Sequence, residues 1–202
     1  MKPRLFIEQK ITPFANQYKI FSADESGSQA NLAAFAQQKR IAFKEKVTFY
    51  TDEQKSTVAF TFRAEKVFDI HGRYIVEDEN GAVIGMFKKE FKQSLIKSTW
   101  KILDKDGNEQ LALSESSTAL ALFRRYSSWI PIVGDIIELV TMFLKYHFVF
   151  TDPGSEDANG RYQKTTLFRD HYTLSLTDEA NAKCDWRVLA AMGVGLDALQ
   201  SR

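Results

Sequence analysis

The sequence predicts a mainly β fold, an antiparallel barrel or sandwich that encloses an apolar C-terminal helix. Three observations favour this class. A short strand-and-turn pattern recurs along the chain, an uncharged helical segment precedes the C-terminus, and no alternating βαβ pattern appears. The length of 202 residues suits a single domain, residues 1–202, of this class.

The strand-and-turn pattern is clearest in residues 74–81 (YIVEDENG) and 100–107 (WKILDKDG). In both, an aromatic residue comes first, an apolar residue follows two positions on, Asp lies four positions on and Gly seven. Residues 18–27 repeat it with two extra residues, and residues 49–55 and 149–154 are weaker copies. Asp, Asn and Gly stabilise tight turns. Each copy therefore predicts a strand that runs into a hairpin, with roughly ten or more strands in all.

The first helical region is residues 115–145, which predict a helical insertion between strands. Pro131 interrupts the region, and residues 134–145 resume as a helix with Asp135 in the first turn and Lys145 at the end. These charges suit the helix dipole and leave a wide apolar face.

The second helical region is residues 186–199. No residue from Val188 to Leu196 is charged, and this run of nine is far shorter than the ~20 residues that span a bilayer. A helix that is apolar all round must be buried on every side. Gly193 and Gly195 allow its surroundings to approach closely, so we expect the helix inside the β structure.

Composition excludes several classes of protein. The 27 basic and 26 acidic residues give a net charge of +1, so we do not expect a nucleic-acid partner. One cysteine, Cys184, excludes an internal disulfide framework and suits a reducing compartment. The first residues lack the apolar stretch of a signal peptide. We expect a cytoplasmic protein, located at the membrane periphery if it binds lipid.

Catalytic and metal chemistry find little support in the sequence. There is no G-x-S-x-G elbow and no Walker loop. The histidines, which lack metal-ligand spacing, are His71, His147 and His171. Cys184 is interpreted as a small apolar filler, although a Cys–His pair formed only in space stays open. We expect no enzyme and no metal site.

Two motif-like stretches are also interpreted as structural. Gly193-x-Gly195-x-x-Ala198 lacks the preceding strand and the later acidic residue of a dinucleotide site. Residues 104–109 place Gly fourth rather than sixth, so a hairpin turn explains them better than a calcium loop. We therefore expect no cofactor.

Lysines form the densest basic stretch, with Phe87, Phe91 and Trp100 between them: Lys88, Lys89, Lys92, Lys97, Lys101 and Lys105. Three interpretations are open. The lysines could line the wet face of edge strands, hold phosphate headgroups, or bind single-stranded nucleic acid.

A second candidate contact lies in the predicted insertion. Basic and aromatic residues lead into its apolar helix, a pattern typical of membrane interfaces: Arg124, Arg125, Tyr126, Trp129 and Lys145. The alternative is a helical pair that caps one end of the barrel or lies in a homodimer contact.

The hairpin repeats and the apolar helix that ends in Leu196-Asp-Ala-Leu199 resemble the Tubby C-terminal-like superfamily, in particular the LURP-one-related proteins. Phospholipid scramblases look similar at the level of the fold. The resemblance covers roughly residues 5–113 and 146–200, and the segment 115–145 departs from it. It implies a closed barrel of about twelve strands around the C-terminal helix. Tubby-like members bind phosphoinositides, whereas the LURP-one-related branch has no agreed activity.

These observations together predict a non-enzymatic binding module that contacts phospholipid headgroups or a membrane surface. Fold analogy alone does not transfer function. The alternative is a protein-interaction or scaffold domain that uses the apolar helix 134–145 for a partner or a homodimer.

Overall fold

The computed structural model describes residues 4–13, 15–39, 46–65, 72–90, 99–115, 147–166 and 170–200. Within these residues the chain forms twelve strands and two helices. The strands are β1 (Arg4–Ile11), β2 (Ala15–Ala23), β3 (Gln29–Lys39), β4 (Val47–Tyr50), β5 (Val58–Ala64), β6 (Arg73–Asp78), β7 (Val83–Glu90), β8 (Thr99–Leu103), β9 (Glu109–Glu115), β10 (His147–Thr151), β11 (Ala158–Lys164) and β12 (Asp170–Leu176). The helices are α1 (Asp178–Lys183) and α2 (Trp186–Gln200).

The strands form one closed antiparallel barrel. Each strand pairs with the next along the chain, and β12 pairs back with β1, where Ile7 lies opposite Tyr172. The predicted mainly β class is confirmed, and so is the twelve-stranded barrel that the resemblance implied.

The repeated phrases form hairpin turns as predicted. Gly81 and Gly107 adopt φ of +84° and +88°, the left-handed region that favours glycine. The Asp78 carboxylate accepts hydrogen bonds from the backbone N–H groups of Asn80 and Ala82, both at 2.9 Å. The turn after β8 repeats this arrangement around Asp104. Local turn chemistry therefore explains why the same letters recur.

Residues Val188 to Leu196 of helix α2 are buried, with each described side chain at most 2% exposed. Val188 to Leu196 form part of one core with inward side chains of the strands, except that Gly193 and Gly195 contribute backbone alone. Trp186 meets the Phe60 ring edge-on at 5.7 Å between centroids. The Tyr162 hydroxyl donates a hydrogen bond to the Gly193 carbonyl at 3.1 Å.

Helix α1 was not expected from the sequence. Its N-cap is Thr177, whose hydroxyl accepts a hydrogen bond from the backbone N–H of Ala180, and Asp178 and Glu179 occupy its first turn. Neither described helix is long and apolar enough to cross a membrane.

The predicted insertion at 115–145 falls almost wholly outside the described residues. Its first residue, Glu115, is the last residue of β9 and pairs with Phe148 of β10.

The barrel has two chemically different ends. At the turn end lie the segments 24–28, 51–57, 79–82, 104–108 and 152–157, together with residues 177–185 that lead into α2. The opposite end, called the far end here, is where the odd-numbered strands β1 to β11 finish and the even-numbered strands β2 to β12 begin. Helix α2 runs from the turn end towards the far end, because Val188 lies by Gly85 and Gly195 lies by Phe87.

Candidate functional site

The inner face of the barrel changes from apolar to polar at the far end. The strand register places Gln9, Lys164 and Asp170 on the inner face, two residues beyond the buried Ile7, Tyr162 and Tyr172. Lys164, only 5% exposed, donates to the Asp170 carboxylate at 2.6 Å. The Gln9 amide donates to the Tyr18 hydroxyl at 3.2 Å. Buried charge is thus paired, as its desolvation requires.

A groove of about 510 Å³ opens at the far end beside this polar layer. Strands β1, β2 and β12 supply its walls, which consist of Glu8, Gln9, Lys10, Ile11, Gln17, Lys19, Asp170 and His171. Ile11 stands at the edge of the groove with 54% of its surface exposed, unusual for a large apolar side chain in this barrel.

Several side chains of the groove can donate hydrogen bonds to a ligand, whereas its carboxylates already have partners. Its two carboxylates accept hydrogen bonds, Glu8 from the Gln29 amide at 2.9 Å and Asp170 from the Lys164 ammonium. Lys19 pairs with Glu53 at 2.7 Å. Lys10 is exposed and makes no ion pair in the described part of the chain. Lysine, glutamine and histidine side chains can all donate to phosphate oxygens.

The predicted basic stretch is divided by the period of the strands. Lys88 points outwards, whereas Lys89 points inwards, where its ammonium lies 5.8 Å from the centre of the Trp100 ring. Lys92 and Lys97 lie outside the described residues. The described lysines therefore do not share one face.

The positive charge of Lys101 is neutralised by two neighbouring carboxylates. Its ammonium lies 2.6 Å from the Glu109 carboxylate and 3.0 Å from that of Glu90. The hydrogen bond that Lys101 donates to Glu109, together with the one that it donates to Glu90, raises the pKa of Lys101 despite partial burial. Lys88 is its cross-strand neighbour and makes no ion pair among the described residues.

The contact predicted in the insertion is not placed by the structure. Arg124, Arg125, Tyr126, Trp129 and Lys145 lie outside the described residues, as does the apolar helix 134–145. Their lipid or partner contacts stay predictions.

Cys184 lacks the features of a nucleophile. Burial raises the pKa of its thiol to about 12, so the thiol stays protonated near neutral pH. His147 and His171 begin strands at the far end, whereas Cys184 lies at the turn end between α1 and α2. His71 falls outside the described residues, and within the described ones no cluster of acidic, His or Cys residues could hold a metal.

The turn end is lined by ionised carboxylates. Hydrogen bonds within each turn lower the pKa of Asp24, Asp52 and Asp104, led by the side chains of Ser26, Ser56 and Asn108 respectively. The pKa of Asp152 is lowered chiefly by the Lys183 ammonium at 2.5 Å.

Sequence reasoning missed the groove. Lys10 and Lys19 lie on adjacent strands of one hairpin, and the short link between β1 and β2 is a signal that could have paired them. His171 joins them only because β12 closes the barrel onto β1, about 160 residues away in sequence.

Comparison with known proteins gives one match. A family model described as LURP-one-related matches residues 32–197, from β3 into the last turns of α2. Neither the curated proteins nor the solved structures include a match to the chain.

Proposed function

The chain belongs to the LURP-one-related family, and from that premise we propose that it is a non-enzymatic, Tubby-like binding module whose far end contacts anionic phospholipid headgroups. The supporting observation is the groove at the far end. Lys10, which makes no ion pair in the described part of the chain, and the exposed Ile11 both line this groove. A cation next to an apolar side chain suits the boundary between headgroups and acyl chains.

The filled interior also favours a surface contact. Inward aromatic side chains pack with residues Val188 to Leu196 of α2 in one buried core, which favours contact at the surface over enclosure of a lipid tail. A headgroup can instead bind at the groove, where Gln9, Gln17 and His171 add donors to the two lysines.

The proposal is tested by co-sedimentation of the full chain with phosphatidylserine-containing and phosphatidylcholine vesicles at low and high salt. We expect binding only to the anionic vesicles, and weaker binding at high salt. Lys10→Glu changes two charge units near the surface, which corresponds to ~2 kcal/mol, or about thirtyfold weaker binding.

The matched control is Lys105→Glu, an identical charge change at an exposed site of the turn end. It should leave binding within about twofold of wild type, because the turn end lies farther than the Debye length from a membrane bound at the far end. A wild-type chain that ignores anionic vesicles at low salt would refute the proposal.

The predicted contact in the insertion belongs to the same proposal. Arg124 and Arg125 would meet phosphates together with Lys145, and Tyr126 and Trp129 would sit at the interface. The double variant Arg124→Glu/Arg125→Glu should weaken vesicle binding further than Lys10→Glu. On this proposal the protein acts in the cytoplasm, at the periphery of a membrane.

The second candidate is a scaffold or homodimer that uses the helix predicted at 134–145. The observation behind it is the wide apolar face of that segment in sequence. Light scattering of wild type and Phe143→Asp tests it. Loss of a dimer with retained folding supports it, and a monomeric wild type refutes the homodimer.

A further inference from the structure

Acidic residues are strongly concentrated at the turn end of the barrel. The six segments of the turn end hold 13 acidic and 3 basic residues, all within the described part of the chain. The remainder of the chain holds 13 acidic and 24 basic residues. The overall charge of +1 therefore combines −10 at the turn end with +11 elsewhere.

Turn chemistry accounts for only part of this acidity. Aspartates such as Asp104 accept hydrogen bonds from their own turn, and these bonds lower their pKa. Glu25, Asp106 and Glu156 are also exposed at this end, yet their carboxylates bond to none of the described residues. The turn end is thus more acidic than its hairpins require.

The far end has the opposite tendency. Described cations there include Lys10 and Lys88, which make no ion pair with described residues.

Away from Glu53, which reaches Lys19 of the groove at 2.7 Å, the two ends are far enough apart to act separately. The eight-residue β7 would span about 26 Å, and strand tilt reduces this to roughly 20 Å along the axis. The Debye length at physiological salt is about 8 Å. An anionic surface at the far end is therefore screened from the acidic turn end, whereas the same surface at the turn end is repelled.

We infer that the barrel docks end-on, with the far end against an anionic membrane and the acidic turn end directed away from it. This inference rests on the proposed function and adds the orientation of the barrel axis relative to the membrane. The start of α2, α1 and the five hairpins remain in solution.

Lipid quenching of site-specific labels tests the orientation. In a Cys184→Ser background, Gln37→Cys places a fluorophore near the far end and Asn80→Cys places one in a hairpin of the turn end; both positions are exposed. A quencher attached to the lipid should reduce the fluorescence of the label at 37 about threefold or more and leave the fluorescence of the label at 80 nearly unchanged. The reason is that quenching decays over a distance shorter than the barrel.

The outcomes separate the two proposals. Absence of any vesicle binding refutes the proposed function and the orientation together. Binding with equal quenching at both positions refutes the orientation alone, because the far end then still contacts the membrane. Stronger quenching at 80 than at 37 refutes the orientation and the far-end contact together.

Charge reversal at the turn end gives an independent measurement. The variant Glu25→Lys/Asp106→Lys/Glu156→Lys removes three unbonded carboxylates without touching a turn hydrogen bond. We expect the label at 80 to become quenched, and anionic-vesicle binding at low salt to tighten about tenfold or more. If the label at 80 stays unquenched while binding is intact, the acidic turn end does not set the orientation.

Discussion

Replacing Gly193 by Ala tests how closely α2 packs against the barrel wall. An added Cβ would lie 2.6 Å from Cδ1 of Ile7 and 3.3 Å from Cε2 of Tyr162. In an exposed helix this substitution stabilises by about 1 kcal/mol. Overpacking a dense core costs about 1–3 kcal/mol. Ile7 is only 1% exposed, so its methyl group has no solvent to move into. We expect overpacking to prevail, with a net loss of about 1–2 kcal/mol.

A double-mutant cycle identifies the contact responsible. Ile7→Val removes Cδ1 and alone should cost about 0.5–1.5 kcal/mol. In the double variant the new Cβ of residue 193 occupies the vacated space. The combined loss should therefore fall short of the sum of the single losses by about 1–2 kcal/mol.

Urea unfolding of the four proteins measures the cycle, with unchanged m-values as the check that compactness is preserved. For a chain of this size, each kcal/mol corresponds to a change in Tm of about 2–4 °C. The matched control is Gly195→Ala, whose Cβ would lie 3.1 Å from two ring atoms of Phe87. Its cycle with Ile7→Val should be additive. A stabilising Gly193→Ala, or additivity in both cycles, would refute the proposed packing.

Two further predictions concern titratable groups. Because turn hydrogen bonds lower the pKa of Asp104, its contribution to stability is present above the ordinary value of 3.8 and is lost as the pH falls through its lowered value. The Tm of Asp104→Ala should lie below that of wild type at pH 7 and approach it in strong acid, and a difference of undiminished size in strong acid would contradict this role of the carboxylate. Because burial raises the pKa of Cys184 to about 12, iodoacetamide at pH 8 should alkylate the native thiol more than about tenfold slower than the unfolded one, and equal rates would contradict its burial.

The features predicted correctly from sequence depend on short-range chemistry. The Asp and Gly of residues 74–81 and 100–107 determine their own turns, because the carboxylate bonds N–H groups only two and four residues away. The uncharged run from Val188 to Leu196 requires burial wherever it lies. The number of strands and the closure of the barrel came from the family resemblance.

The candidate site was missed because it depends on long-range pairing. The sequence around Lys10 and Lys19 does not indicate that His171 lies near them. Only the pairing of β1 with β12 brings the three residues to one groove. The described part of the basic stretch is divided between two faces for a related reason. Lys88 and Lys89 are adjacent in sequence, yet the period of two in a strand directs them to opposite faces of the wall.

The position of a ligand site follows from which side chains remain available for a ligand. At the turn end, the carboxylates of Asp24, Asp78 and Asp104 are committed to backbone N–H groups of their own hairpins. Moving any of them onto a ligand would loosen the hairpin that joins two barrel strands. At the far end, Lys10 and Lys88 are outside the barrel's own ion pairs, so a ligand can engage them without disturbing a turn. Selection on binding can therefore change the far end while the hairpins keep the barrel closed.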